Sequence, residues 1–141
     1  MVKRIILEKE IKRRDFKRGG EVSSKLKEQL RRLGVGAEII RRVSIVSYEL
    51  EMNIIIHSLG GKIKAAISSG EIVIKASDRG PGIEDIEKAL EPGYSTASEE
   101  IREMGFGAGM GLNNIYNYSD DMKINSDPEE GTEVKVNLYL Q

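Results

Sequence analysis

The sequence predicts an α+β two-layer sandwich, with helices on one face of a mixed, mostly antiparallel sheet. Three observations carry that prediction. The element order reads strand, two helices, two strands, a glycine-rich segment, then helix and two strands. The strands group on either side of the glycine-rich segment, beyond a helix pair, and two of them alternate polar and apolar residues. The 141 residues form one expected domain, 1–141, and chains of about this size bury roughly 68–70% of their unfolded surface, enough for a real core.

Each element follows from its local pattern. Lys3 to Ile11 mixes Ile5, Ile6, Leu7 and Ile11 with charge and reads as a first strand. Lys12 to Gly20 is strongly basic, ends in two glycines and reads as a solvated loop. Glu21 to Leu33 carries Val22, Leu26, Leu30 and Leu33 at helical spacing, and Gly34 and Gly36 stop it. Ala37 to Ser58 is the longest periodic stretch, with Ile39, Val43, Val46, Leu50 and Ile54 on one helix face. Lys62 to Ile67 alternates as a half-buried strand, Ser68 to Gly70 turns, and Glu71 to Asp78 returns. Ile83 to Leu90 reads as a short helix inside the glycine-rich segment. Leu112 to Tyr118 reads as a helix, Met122 to Ser126 as a strand, Asp127 to Gly131 as a turn and Thr132 to Leu140 as a final alternating strand.

Composition excludes several function classes. Basic residues number 22 and acidic residues 23, for a formal charge of −1, without the basic excess of a dedicated nucleic-acid binder. Cysteine is absent, which removes disulfides, thiolate metal sites and a cysteine nucleophile. His57 is the one histidine and cannot build a zinc site without several carboxylates. There is no apolar run long enough to span a membrane. The N-terminal residues become charged too soon for a signal peptide, so a cytoplasmic location is expected.

Three polar positions contradict their local pattern, and function is sought there. Glu49 and Asn53 lie four apart on the long helix, on a flank that borders the apolar stripe, and His57 continues the line. The alternative is a partly solvated polar flank. Asp78 shares the parity of Ile72, Ile74 and Ala76 and should face the core, where a carboxylate needs a partner such as the exocyclic amine of a base. The alternative is that the strand stops short and Asp78 caps a turn. Thr132 shares the parity of Val134, Val136 and Leu138, so its hydroxyl points inward and can pair with Asp78 at one end of the sheet.

The segment Gly105-Phe106-Gly107-Ala108-Gly109-Met110-Gly111 has glycine at every second position and runs into a helix. Glycine lets backbone N–H groups approach a ligand, and a helix N-terminus adds free donors and a positive dipole end. Together these suit phosphates; the alternative is a flexible hinge. A Walker motif is absent, the glycines do not fit a dinucleotide-binding fingerprint, and eukaryotic-type kinase motifs and a hydrolase elbow are missing.

Taken together, Glu49-x-x-x-Asn53, Asp78-x-Gly80-x-Gly82, the Gly105 to Gly111 run and Gly131-Thr132 resemble the four ordered boxes of the GHKL ATPases, the superfamily of gyrase, heat-shock protein 90, histidine kinases and MutL. Within it the chain most resembles the anti-sigma regulatory serine/threonine kinases, including the RsbT type. The resemblance runs from about Lys3 to Leu140 and is densest from Ile45 to Thr132. It implies a Bergerat-type sandwich with a long ATP lid at about 83–110.

The resemblance also implies roles. Glu49 would be the general base for a substrate hydroxyl. Asn53 would ligate Mg²⁺ through its amide oxygen. Asp78 would bind the adenine amino group, with Gly80 and Gly82 allowing close approach and Thr132 supporting the contact. Gly105, Gly107, Gly109, Met110, Gly111 and Leu112 would line the phosphates, and Arg102 in the lid would reach the γ-phosphate. Asn113 departs from the proline that many relatives carry.

The implied activity is ATP-dependent phosphorylation of a STAS-type anti-sigma antagonist in a bacterial partner-switching pathway. The alternative is a nucleotide-gated binding module, an anti-sigma factor or phosphatase regulator with little kinase activity. A bare ATPase is a third reading. A sigma factor or a PP2C-type phosphatase is a further expected partner, and homodimerisation through the first strand and first helix is a further expectation. Direct nucleic-acid or membrane binding is not expected.

Overall fold

The computed structural model describes residues 3–80, 111–127 and 129–140. Strand β1 (Arg4–Ile11) leads through a 3-10 turn at Phe16–Arg18 to helices α1 (Glu21–Arg32) and α2 (Ala37–His57). Strands β2 (Gly61–Ile67) and β3 (Glu71–Asp78) follow. After the residues outside the description come α3 (Gly111–Tyr118), β4 (Asp121–Asp127) and β5 (Gly131–Tyr139). The five strands form one sheet in the order β1-β2-β3-β5-β4. The expected mixed, mostly antiparallel sheet is antiparallel at all four pairings.

The alternation that predicted the strands is the alternation of burial. Ile63 and Ala65 on β2, Ile72 and Ile74 on β3, and Val134, Val136 and Leu138 on β5 face the helices. The intervening positions form an open face of the sheet. Strand β1 departs from strict alternation: its register slips between Ile5 and Leu7, so the consecutive Ile6 and Leu7 are both buried. The Gln29 side chain of α1 donates to the Ile6 carbonyl oxygen at 2.9 Å, which satisfies an acceptor on this edge strand.

Helix α2 is buried more widely than its single predicted stripe. Val43, Val46, Leu50 and Ile54 are core residues as expected, but Ile40, Met52, Ile55 and Ile56 are buried too. The reason is packing on three sides, against the sheet, α1 and α3. Burying Leu50 in full contributes about 1.5–3 kcal/mol. Truncating such a side chain to alanine costs about 2–5 kcal/mol, because a cavity remains. The basic Lys12–Gly20 loop holds the 3-10 turn, and Arg14 there adopts a left-handed φ of 61° while its N–H donates to the Ile55 carbonyl oxygen at 3.0 Å. The predicted short helix at Ile83–Leu90 and the predicted lid at 83–110 lie outside the described residues. No helix among the described residues is long and apolar enough to cross a membrane.

This topology places the site. Strands β3 and β5 are antiparallel neighbours, so the end of β3 meets the start of β5, with Ser77 opposite Glu133. The C-terminus of α2 turns directly into β2, whose Gly61 lies opposite Asp78.

Candidate functional site

Asp78 is the last residue of β3 and is half-buried, as its inward parity requires. Its Oδ1 accepts the Thr132 backbone N–H at 3.0 Å. Burial pushes the carboxyl above the ordinary aspartate range, and that one hydrogen bond opposes the shift. The predicted Asp78–Thr132 pair therefore exists, but through the Thr132 backbone. The Thr132 hydroxyl, 6% exposed, lies 3.0 Å from the Ser126 hydroxyl on β4 instead.

Backbone from three segments packs tightly around Asp78. Leu59 N–H donates to the Arg79 carbonyl oxygen at 3.2 Å, and Arg79 N–H donates to Gly60 at 3.0 Å. Gly80 N–H donates to the Glu130 carbonyl oxygen at 3.2 Å. This closeness requires glycine at 131: φ is 122°, and a Cβ there would overlap the Asp78 carbonyl oxygen and sit 2.8 Å from the Gly80 nitrogen. Asp78, Gly80 and Thr132 thus come together at one end of the sheet. That leaves a half-buried carboxylate that accepts a hydrogen bond from the Thr132 backbone N–H.

Helix α2 presents Glu49, Asn53 and His57 at half-buried positions, one turn apart. Burial pushes the Glu49 carboxyl above the ordinary glutamate range, and a hydrogen bond with the Asn114 side chain on α3 opposes this. Burial also pushes the His57 imidazole below its ordinary range, with the Arg14 charge adding to the shift. Among the described residues there is no group of three or more acidic or histidine side chains that could hold a metal. Asn53 supplies one hard amide oxygen, a donor type that suits Mg²⁺ when nucleotide phosphates and water complete its shell.

A sequence profile of the family described as histidine kinase-, DNA gyrase B-, and HSP90-like ATPase matches residues 38–141. The chain belongs to this ATPase family. Among similar proteins, an anti-sigma F factor of Thermoanaerobacter sp. (strain X514) is 38% identical over 108 residues, covering 73% of this chain and 72% of that one. The serine/threonine-protein kinase RsbT of Bacillus subtilis (strain 168) is 33% identical over 113 residues, covering 77% of this chain and 79% of that one. These place the ATPase in the anti-sigma and RsbT-like branch. In the solved SiaB–SiaC complex of Pseudomonas aeruginosa, one chain matches with a TM-score of 0.59 at 16% identity, covering 96% of this ATPase and 91% of that chain. That likeness shows the fold.

Of the predicted site residues, Asp78, Gly80 and Thr132 come together at one end of the sheet, while Glu49 and Asn53 lie one turn apart on α2, with Glu49 meeting Asn114 of α3. Gly111 is the first residue of α3. Leu112 is 8% exposed and packs in the core, so its side chain serves α3 docking. Gly82, Arg102, Gly105, Gly107, Gly109 and Met110 lie outside the described residues.

Sequence reasoning missed two groups. Asn114 gave no signal, because α3 is short and polar residues are common on its exposed flank. Glu51 could have been found: its neighbours three and four positions away on the helix are Ser47, Tyr48, Ile54 and Ile55, none of them charged. Glu51 is fully buried, and its Oε1 accepts the N–H groups of Gly20 at 2.9 Å and Val22 at 3.3 Å. Its Oε2 makes no hydrogen bond and has Lys9 Nζ at 3.6 Å. Gly20, the N-cap of α1, has no side chain to cap the helix, so Glu51 caps it from α2. Its role is structural.

Proposed function

We propose that this ATPase-family chain is an ATP-dependent protein serine/threonine kinase whose substrate is a STAS-type anti-sigma antagonist. The observation that carries the reading is Glu49: a half-buried carboxylate, raised by burial, held by Asn114 and one turn before Asn53. A raised carboxyl is a better base near neutral pH than an exposed one, because catalytic efficiency peaks when the pKa approaches the working pH.

In the reaction, Glu49 takes the proton of the substrate serine or threonine hydroxyl. The hydroxyl oxygen bonds to the γ-phosphorus, and the bond from that phosphorus to the β–γ bridging oxygen breaks, releasing ADP. Asp78 accepts a hydrogen bond from the adenine amino group, and the Thr132 backbone N–H fixes the carboxylate that does so. Asn53 would hold Mg²⁺ through its amide oxygen, and the ion would supply charge neutralisation for the transferring phosphoryl group. The names of the relatives in this branch, an anti-sigma F factor and a serine/threonine-protein kinase, support a partner-switching role.

A second reading is favoured by the anti-sigma F factor names: a binding module whose nucleotide state selects its protein partner. It requires different partner affinities in the ATP and ADP states. Labelled transfer separates the two. The protein is incubated with Mg²⁺ and γ-labelled ATP in extract of its source, beside a Glu49→Ala variant. A labelled band that needs Glu49 is the kinase result. ATP binding without any labelled band is the binding-module result.

A further inference from the structure

The open face of the sheet carries a charge pattern that the ATP site does not use. Lys64 on β2 lies directly opposite Lys75 on β3, Lys75 opposite Lys135 on β5, and Lys135 opposite Lys123 on β4. Four lysines therefore form one continuous row across four strands. Lys64, Lys75 and Lys123 are exposed and Lys135 is half-buried. Like charges directly opposite each other destabilise a sheet, so the row is a cost to the free protein. Acidic residues border it without interrupting it: Glu8 stands at the β1 end opposite Lys64, and Glu133 approaches Lys75 at 3.6 Å from the next row.

Two residues further along the strands the next row is an apolar strip on β1, β2 and β3, and continues as Asn137 on β5 and Asp121 on β4. Ile5, 52% exposed, pairs with Ala66, and Ala66 pairs with Val73; both partners are half-buried. Tyr139, 48% exposed, adds to this side of the face. No described element packs on either strip. Neighbouring strands are about 4.8 Å apart, so the lysine row spans about 14 Å. Side chains three or four apart on a helix are about 5–6 Å apart, which nearly matches the step of the row. The two strips lie about 7 Å from each other, within the roughly 10 Å width of a helix.

We propose that this face docks an amphipathic helix of a partner protein, laid across the strands with an acidic edge on Lys64, Lys75, Lys135 and Lys123 and an apolar edge on Ile5, Ala66 and Val73. A second copy stacked face to face about a twofold on the row would set lysine on lysine. The chain's formal charge of −1 and pI of about 6.0 disfavour a nucleic acid as the occupant.

The test uses the full chain, isotope-labelled, and a synthetic helical peptide with glutamates along one edge and leucines along the adjacent edge. The expected result is amide shifts concentrated on residues 64, 66, 73, 75, 123 and 135. The double variant Lys75→Glu, Lys135→Glu should bind the peptide about tenfold more weakly. The double arginine variant should retain binding, and ATP affinity and melting cooperativity should be unchanged in both. Shifts elsewhere, equal binding by the glutamate variant, or equal binding of a peptide with the same composition in scrambled order would overturn the proposal. So would displacement of the peptide by an RNA oligomer or by phosphatidylserine vesicles, which would assign the face to those ligands, or a dimer broken by the glutamate variant.

Discussion

Replacing Asp78 with asparagine separates nucleotide binding from folding. In the wild type, Oδ1 accepts the Thr132 N–H at 3.0 Å, and the adenine amino group needs a second acceptor on the same side chain. Asparagine keeps one neutral oxygen for both donors to share and sets an NH₂ where the second carboxylate oxygen stood. A hydrogen bond to a charged acceptor is worth about 1.5–3 kcal/mol, which corresponds to roughly 10- to 150-fold weaker ATP binding. ATP at about 100 times its dissociation constant should stabilise the wild type by about 2.7 kcal/mol, a melting shift of roughly 5–10 °C. Asp78→Asn at the same ATP concentration should lose about half or more of that shift.

Without nucleotide the sign reverses. Burial holds the Asp78 carboxyl above its ordinary range, so the folded state favours the protonated form. The stability this contributes is fully present below the ordinary aspartate value and is lost as pH rises through the folded value. The amide has no such dependence. Nucleotide-free Asp78→Asn should therefore match or exceed the wild type in melting temperature at neutral pH, with the advantage shrinking on acidification. The assay is thermal unfolding at several pH values, with and without ATP. An ATP shift as large as the wild type's, or a nucleotide-free variant several kcal/mol less stable at neutral pH, would refute the reasoning.

Further outcomes are expected. Glu49→Gln should retain ATP binding and lose transfer. The wild-type rate should fall on acidification with a midpoint above the ordinary glutamate range, since burial raises that carboxyl, and a pH–rate profile checks it. Glu51→Ala should cost about 2–4 kcal/mol by denaturant unfolding, because it leaves the Gly20 and Val22 N–H groups without their acceptor. Gly131→Ala should cost at least about 2 kcal/mol and weaken ATP binding, since its Cβ meets the Asp78 and Gly80 backbone and its φ is 122°. Lys135→Glu should raise stability by about 1 kcal/mol, because it converts two directly opposed like-charge pairs into opposite-charge pairs, and thermal unfolding at low salt reads it.

The parts of the fold that were legible in the sequence are those where burial and period coincide. Strands β2, β3 and β5 alternate because one face meets the helices and the other does not. Val43, Val46, Leu50 and Ile54 mark the face of α2 that any packing arrangement would bury. Ile40, Ile55 and Ile56 were not assigned, since three-sided packing of α2 is a property of the assembled domain. The consecutive burial of Ile6 and Leu7 depends on a bulge that leaves no local signature. At the site, the inward parity of Asp78 and Thr132 was readable, but which Thr132 group meets Asp78 was not: it is set by strand register. Asn114 reaches Glu49 only because α3 packs on α2, a contact between segments far apart in sequence. The lysine row is likewise a register effect, invisible until four strands are aligned.

The measurement that bears most directly on the kinase reading is labelled phosphoryl transfer in source extract with Mg²⁺ and γ-labelled ATP, run beside Glu49→Ala. The account predicts one labelled protein band with the wild type and none with the variant, while both bind ATP. Transfer by Glu49→Ala at the wild-type rate would contradict it.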